Sequence, residues 1–460
     1  MRARPTSSSP LQAILERARR VPDLDHFPGV DEIVARLDDL AGRHPDLVTA
    51  RRIGTSRLGE AITMYSIGTG PDEALVYAGV HPNEPIGFWT AIQLAEDLCA
   101  DAVLRAGCRW NLIGCIDPDG TRLNEGWFDG PWDRVHYLAN FYRPAPAEQV
   151  EWSFPFKYKQ AYFDSVMPEA FALMRVIDEL KPKIAVSLHN TELGGVYYYV
   201  TRDLDGFVGE LHEIAAAFDL PLDLGEPETP VARPLGPAVY EMISARATYD
   251  YSESLGMTPY SSSGGSSAEY AERYGTVSLV AELPYWTHPA ADDRNPSDVA
   301  YRDVLTEAAD GLEKDLTALV EIFEAAREHL SDDSQFVRAT AAFLPYLSKR
   351  PDRDRRRAEQ EDPARLATVS EAFGLRDSHR SFRLRYGGML VRAIDGEIAR
   401  GSAAAELHPL AKRLRDLYRA WQDEALALEP ELHRVPINHL VGVQYAATLA
   451  LLNAVRRKGV

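Results

Sequence analysis

The feature that most constrains the fold is a series of short apolar segments that alternate with longer helical ones. ALVYAGV, WNLIGCI, KIAVSLH and TVSLVAEL are short apolar runs, and FWTAIQLAEDLCA and AFALMRVIDEL have helical length and composition. Such runs are typical of strands covered on both faces, and their alternation with helices is typical of α/β proteins. We therefore predict an α/β fold, with a mixed, largely buried β-sheet flanked by helices.

The 460-residue chain is predicted to divide near residue 330. Residues 1–330 contain the strand and helix pattern and form the first predicted domain. Residues 331–460 are predicted to be a helical C-terminal appendage that packs against it. The segment Ser348–Arg365 is dense in charge and contains two prolines, which indicates an exposed connector or a solvated helix end. Leu440–Val455 is apolar enough to predict a buried helix.

Composition limits the environment and the partners. The formal net charge of −19 disfavours nucleic acid and anionic membranes as broad partners. We find no apolar run long enough for a bilayer, and the N-terminal segment lacks the apolar core of a secretory signal. The three cysteines lie within Cys99–Cys115 without paired metal spacing, which fits a reducing compartment. We expect a cytoplasmic protein, and its oligomeric state is left open.

Polar side chains follow three of the predicted buried strands directly. His81, His189 and Glu282 each stand at or just after a strand end, where open α/β sheets collect their ligands. Glu84 follows His81 in the motif His-Pro-Asn-Glu, at a turn in which Pro85 suits the first helical position. Neutral imidazole and carboxylate are zinc ligands, and a catalytic zinc uses three protein ligands and a water. The pattern predicts one Zn²⁺ per chain on His81, Glu84 and His189.

These motifs resemble the M14-type zinc carboxypeptidase family over roughly residues 28–330. The order His-x-x-Glu and then a distant His matches the family's ligand order. DPDG at Asp117–Gly120 resembles its NPDG motif, with Asp in place of the first Asn. Tyr260 and the turn Ser-Gly-Gly-Ser ending at Ser266 precede Glu282, with 22 residues from Tyr260 to Glu282, as in pancreatic members. The resemblance implies a peptidase fold and a metallopeptidase activity.

The resemblance also implies roles for individual residues. Zinc lowers the pKa of its bound water toward about 7, and Glu282 is expected to take the proton and pass it to the leaving amine. Arg122, just after DPDG, is expected to stabilise the oxyanion beside the metal. Tyr260 is expected to donate a hydrogen bond to the substrate.

One part of the sequence departs from the family pattern. Family exopeptidases hold the substrate carboxylate with an adjacent Asn-Arg pair, whereas the corresponding stretch here is YLANFYRPAP. Asn140 and Arg143 are predicted to supply these groups, because a guanidinium fork suits a carboxylate. Ser267 lies near the specificity-pocket position and is predicted to contact substrate. Its small uncharged side chain indicates no strongly charged preference.

The sequence therefore predicts a zinc-dependent hydrolase of peptide or peptide-like amide bonds. One alternative is a deacylase of N-acyl amino acids, similar to succinylglutamate desuccinylase and aspartoacylase, which share the ligand order. Another is a non-catalytic binding or scaffold protein on the same fold. Because no candidate ligand lies beyond Glu282, the appendage is predicted to be dispensable for zinc binding.

Overall fold

The computed structural model of the protein describes residues 9–257, 263–401, 403–427 and 429–457. The described helices are α1 Pro10–Ala18, α2 Val30–Arg43, α3 Ile86–Ala100, α4 Pro118–Arg122, α5 Arg134–Asn140, α6 Pro168–Leu180, α7 Phe207–Ala216, α8 Ala245–Ser254, α9 Ser267–Ala271, α10 Tyr301–Ala326, α11 Gln335–Leu347, α12 Arg350–Gln360, α13 Val369–Ala399, α14 Leu407–Leu426 and α15 Ile437–Arg457. The described strands are β1 Val48–Thr55, β2 Ala61–Ile67, β3 Asp72–Ala78, β4 Cys108–Ile113, β5 Phe156–Tyr158, β6 Ala161–Phe163, β7 Ile184–Leu188, β8 Thr191–Leu193, β9 Tyr197–Val200, β10 Pro234–Gly236, β11 Val239–Glu241, β12 Val277–Glu282, β13 Pro284–Thr287, β14 Pro296–Ala300, β15 Leu366–Thr368 and β16 His433–Arg434.

Nine strands form one mixed sheet in the order β1-β2-β4-β3-β7-β12-β9-β11-β10. The four central strands β4, β3, β7 and β12 run parallel to one another. Antiparallel pairings of β2 with β4 and of β9 with β12 flank this centre. The predicted α/β class with a mixed, helix-flanked sheet is confirmed.

The central strands are apolar on both sides because helices cover both faces of the sheet. Successive side chains of a strand point to opposite faces. In β3, Ala74, Val76 and Ala78 join one hydrophobic cluster and Leu75 and Tyr77 join a second. This two-sided burial explains why the strand reads as an unbroken apolar run.

Helix α15 packs within the first of these clusters. It contacts α1, α3 and α7 and lies over β7 and β12. Its residues from Leu440 to Leu452 are all buried, so the prediction of a buried helix in this segment is confirmed. The residues beyond 330 thus share a hydrophobic core with those before it. The division at residue 330 stays a prediction about organisation along the sequence.

Helices α10, α11 and α14 pack around the long helix α13, and α12 packs on α10. Helix α13 also packs against α5. The charged segment predicted as a connector or helix end consists mainly of α12, whose Arg355 pairs with Asp310 and Glu313 of α10. No helix in the described parts of the chain combines the length and apolarity needed to cross a bilayer.

Candidate metal centre

His81, Glu84 and His189 converge at the carboxyl edge of the central strands. One ligand atom from each lies within 4.8 Å of the others, and all three residues are buried. His81 comes shortly after β3 and His189 directly follows β7, and these strands are parallel neighbours. Glu84 comes from the turn before α3. Because parallel strands end at the same edge, residues far apart in sequence meet at one point.

Two carboxylates face the same nitrogen of His189. Glu84 Oε2 lies 3.2 Å from His189 Nδ1 and accepts a hydrogen bond from the Asn190 amide at 3.1 Å. Glu282, the last residue of β12, places its Oε1 3.6 Å from the same nitrogen. The Nδ1 side of His189 is therefore the side that faces the cluster.

Burial and charge set the protonation of these groups. Burial lowers the pKa of His81 well below its ordinary value, and the positive charges of Arg143 and His189 act in the same direction. Burial alone would also lower the pKa of His189, but the hydrogen bond and charge of Glu84, with Glu282, outweigh it and raise the pKa to about 9. Burial and the charge of Glu84 raise the pKa of Glu282 well above its usual range. Burial therefore favours the neutral imidazole of His81, which lies in one cluster with Glu84 and His189.

The residues present fit a zinc ion. His81 Nδ1 is buried and has no hydrogen-bond partner among the described residues, which suits a nitrogen available to a metal. Two imidazoles and one carboxylate are the donor set of several catalytic zinc sites. His81, Glu84 and His189 would hold the metal. Glu282 remains beside it, with a buried and equally unpartnered Oε2.

Arg143 reaches this cluster. Its guanidinium donates to Glu84 Oε1, and its Nε donates to Asn83 Oδ1 at 3.0 Å. Asn140 does not accompany it, because the Asn140 amide donates to the backbone oxygen of His136 within α5 at 3.0 Å. The neighbour of Arg143 is therefore Asn83 of the His-Pro-Asn-Glu motif. A role of Arg143 toward substrate stays a prediction.

Arg122 lies elsewhere. Its Nε donates to Glu60 at 2.7 Å and its terminal nitrogen donates to Asp31 at 2.7 Å. The side chain is 34% exposed, and no contact among the described residues joins it to His81, Glu84 or His189. The predicted oxyanion role of Arg122 is not supported by this position, since two carboxylates already hold its charge.

The turn before Ser267 is built by glycine. A Cβ on Gly264 would lie 1.9 Å from the backbone oxygen of Phe154, so only glycine fits there. Ser266 then caps α9 in a reciprocal pair with Glu269. Ser267 itself is buried and donates from both N and Oγ to Glu151. Its contact with substrate stays a prediction, and Tyr260 lies outside the described residues.

Three polar residues near the cluster were not anticipated from the sequence. Glu151 is buried beside His189, Ser187 Oγ lies 2.8 Å from His189 Nε2, and Asn83 contacts Arg143. A signal existed for Ser187, because it precedes His189 by two residues in a strand and so shares its face. Glu151 carries no local signal, since its partners lie 36 and 116 residues away along the chain.

The chain belongs to the zinc carboxypeptidase family Peptidase_M14, whose family model matches residues 33–288, more than half of the sequence. Similar solved structures include carboxypeptidase A from Helicoverpa armigera, with 15% identity, 76% of this chain and 80% of that chain covered, and a TM-score of 0.38. Another is a metallo-carboxypeptidase from Burkholderia cenocepacia, with 15% identity, coverage of 56% and 60%, and a TM-score of 0.34. A third is bovine thrombin-activatable fibrinolysis inhibitor in complex with tick carboxypeptidase inhibitor, with 14% identity, coverage of 56% and 86%, and a TM-score of 0.34.

Proposed function

We propose that this chain is a zinc-dependent hydrolase of peptide or peptide-like amide bonds. The observation that carries the proposal is the convergence of His81, Glu84 and His189 beside the unpartnered carboxylate oxygen of Glu282. Zinc bound there supplies Lewis-acid activation of a water and of the scissile carbonyl. Membership in the zinc carboxypeptidase family favours this proposal over the N-acyl amino acid deacylase.

Glu282 is the proposed general base. Its Oε2 is buried and without a partner among the described residues, so it can take a proton from the attacking water and return it to the leaving amine. Its position at the end of β12 fixes it beside the ligand cluster.

Arg143 is the proposed group that recognises a substrate carboxylate. Its side chain is 23% exposed, so part of the guanidinium can face an incoming substrate while the rest holds Glu84 and Asn83. A planar fork binds a carboxylate in two hydrogen bonds. A peptide with a free C-terminal carboxylate is therefore the proposed substrate class.

Metal content and turnover test the function together. The parent chain should hold about one zinc, and His189→Ala should lose most of it. Glu282→Gln should keep zinc and lose about 10²–10⁴-fold in turnover, because an amide cannot shuttle the proton. Peptides with free and amidated C-termini are the substrates to screen, with metal measured by plasma emission.

Glu169→Gln is a matched control for this test. Glu169 is also a buried carboxylate, but it lies at the start of α6 and accepts from the Arg57 amide at 2.8 Å. That variant should keep zinc and turnover. A parent chain without zinc, as expected of a scaffold protein, or a fully active Glu282→Gln enzyme, would rule out the proposal.

A further inference from the structure

The two ring nitrogens of His189 have different surroundings. Nδ1 faces the carboxylates of Glu84 and Glu282 on the side of the metal cluster. Nε2 points away from it and lies 2.8 Å from Ser187 Oγ. Both Ser187 and His189 are buried. The contact on the far side of the ring is therefore shielded from bulk water.

Ser187 is in turn bound to a buried carboxylate. Its hydroxyl donates to Glu151 Oε2 at 3.4 Å. Glu151 lies in a 3₁₀ turn at residues 150–152 and accepts from the Ser267 amide at 3.2 Å and from Ser267 Oγ at 3.0 Å. The hydroxyl of Tyr77 lies 2.8 Å from Ser267 Oγ and completes the network.

This network holds a carboxylate where burial is unfavourable. In the described part of the chain, the one basic group within 4.0 Å of Glu151 is His189, whose Nε2 is 3.9 Å away. Taking a carboxylate out of water is unfavourable unless hydrogen bonds and charge compensate. Donors from Ser187 and Ser267 supply that compensation. One of these donors, Ser187, also contacts His189, so the carboxylate of Glu151 can influence the histidine through the Ser187 hydroxyl.

We propose that Glu151, acting through Ser187, is a positioning residue that fixes His189 as a metal ligand through Nδ1. This inference rests on the proposed function. A neutral imidazole carries one N–H, so binding a metal through Nδ1 requires the proton on Nε2. That N–H donates to Ser187 Oγ, whose own proton points to Glu151. A carboxylate only accepts hydrogen bonds, and it therefore fixes the direction of both bonds.

Ser267 also belongs to this arrangement. Its amide and hydroxyl both hold Glu151, and its side chain is buried. Ser267 orients the carboxylate that orients Ser187. The network thus links the Ser-Gly-Gly-Ser turn to a metal ligand on a different strand.

Zinc affinity is the direct test. Ser187→Ala removes the acceptor for the Nε2–H and should weaken zinc binding about 10–100-fold, measured by competition with a chelator of known affinity. Glu151→Gln should weaken it at least as much, because an amide can donate to Ser187 and reverse the bond to His189. Ser187→Thr keeps the hydroxyl and should recover most of the affinity. The thermal stability of each metal-free variant is measured alongside.

Two buried residues outside the network serve as matched controls. Ser278 lies on the neighbouring strand β12, is buried, and has an Oγ without a partner among the described residues. Ser278→Ala and Glu169→Gln should bind zinc as the parent chain does. An effect on stability alone, with affinity unchanged, is what a structural role predicts.

The outcomes separate this inference from the function on which it rests. A parent chain that binds no zinc overturns both. A parent that binds zinc, with a folded Ser187→Ala variant of equal affinity, overturns only the positioning role. If Glu151→Gln does not fold, the comparison of Ser187→Ala with Ser187→Thr decides. A similar loss of zinc affinity in Ser187→Ala and Ser187→Thr counts against the proposal. The same holds for a loss of zinc affinity in Ser278→Ala.

Discussion

Asp117 shows how one buried carboxylate can make stability depend on pH. Its Oδ1 caps α4 by accepting from the Gly120 amide at 2.9 Å, while its Oδ2 is buried without a partner among the described residues. Burial raises its pKa to about 7. The Gly120 hydrogen bond opposes this shift and the charge of Glu169 adds to it. The folded protein therefore holds a proton on Asp117 that the unfolded chain releases.

We expect Asp117→Asn to remove this pH dependence. The folded pKa lies above the unfolded value, so the contribution of Asp117 is fully present below about pH 4 and is lost as pH rises through about 7. Asparagine keeps the capping oxygen and carries no charge. Relative to the parent, the variant should gain about 1–3 kcal/mol in free energy of unfolding between pH 4 and pH 8. Urea denaturation at both pH values measures this. The exposed Asp46→Asn is the control, and an equal difference at the two pH values would contradict the expectation.

The proposed role of Arg143 in binding a substrate carboxylate is tested by comparing two classes of substrate. Arg143→Ala should lower kcat/KM for peptides with a free carboxylate by roughly ten- to a hundredfold, and much less for amidated peptides, because a charge-assisted fork contributes about 1.5–3 kcal/mol. Arg143→Lys should recover only part. Since Arg143 also touches Glu84, the zinc content of each variant must be measured. An equal loss on both substrate types with zinc retained would assign Arg143 a structural role.

At the residue scale, the sequence predicts which residues lie together where ligand-type side chains follow the ends of parallel strands. His81, Glu84, His189 and Glu282 lie together because parallel strands end at one edge. The position of Arg122 could not be predicted by this argument from strand ends. Its partners, Glu60 and Asp31, lie 62 and 91 residues away, and local spacing does not reveal which acids an arginine will meet.

At the scale of elements, α13 supports the segment that carries Arg143. Arg392 of α13 donates to the backbone oxygens of Asn140 at 2.7 Å and Leu123 at 2.9 Å. Arg385, about two helical turns earlier, donates to Glu192 at 2.7 Å, and Glu192 lies three residues after His189. The helix thus contacts both the segment that carries Arg143 and the segment that follows His189.

Arg392→Met tests this support. The apolar replacement leaves carbonyl groups without their donors, which should cost about 1–3 kcal/mol in free energy of unfolding and lower kcat/KM through a looser Arg143 segment. Arg400→Met, at the exposed end of the same helix, should change neither quantity. Denaturant titration and steady-state kinetics measure both. Unchanged kinetics in Arg392→Met would show that α13 does not act on the site.

Strands were easier to predict than the contacts of α13. The buried strands appear as apolar runs because both faces are covered. Helix α13 has buried residues on several sides, since it packs against helices all around it. Gly387 and Gly388 permit this packing, because a Cβ on the first would lie 3.0 Å from Tyr418 and on the second 2.9 Å from the backbone oxygen of Leu138. Such close approaches depend on the assembled fold and cannot be read from spacing.

At the scale of the whole molecule, α15 joins the C-terminal region to the candidate metal site. Gln444 donates to the backbone oxygen of His189 at 2.6 Å and accepts from Thr90 at 2.8 Å. The helix also covers the strands that carry His189 and Glu282. The sequence predicted that Leu440–Val455 is buried, but it did not predict that this helix packs on β7 and β12.

We therefore expect a chain that ends at residue 330 to lose soluble expression, because removing α15 exposes a large apolar face of the sheet. A chain that lacks only residues 458–460 should behave as the parent and serves as the control. Soluble yield and the near-ultraviolet circular dichroism of each product measure the outcome. A soluble 1–330 chain with the zinc affinity of the parent would contradict this expectation and confirm that the C-terminal region is dispensable for zinc binding.

The contact between Gln444 and His189 joins residues 255 positions apart. A ribosome makes His189 long before it makes the helix that anchors the backbone of that residue. Until α15 has been synthesised, the face of the sheet that it covers stays exposed, and the backbone oxygen of His189 lacks its hydrogen bond from Gln444. The contact that supports the backbone of His189 can therefore form only after residue 444 has been synthesised.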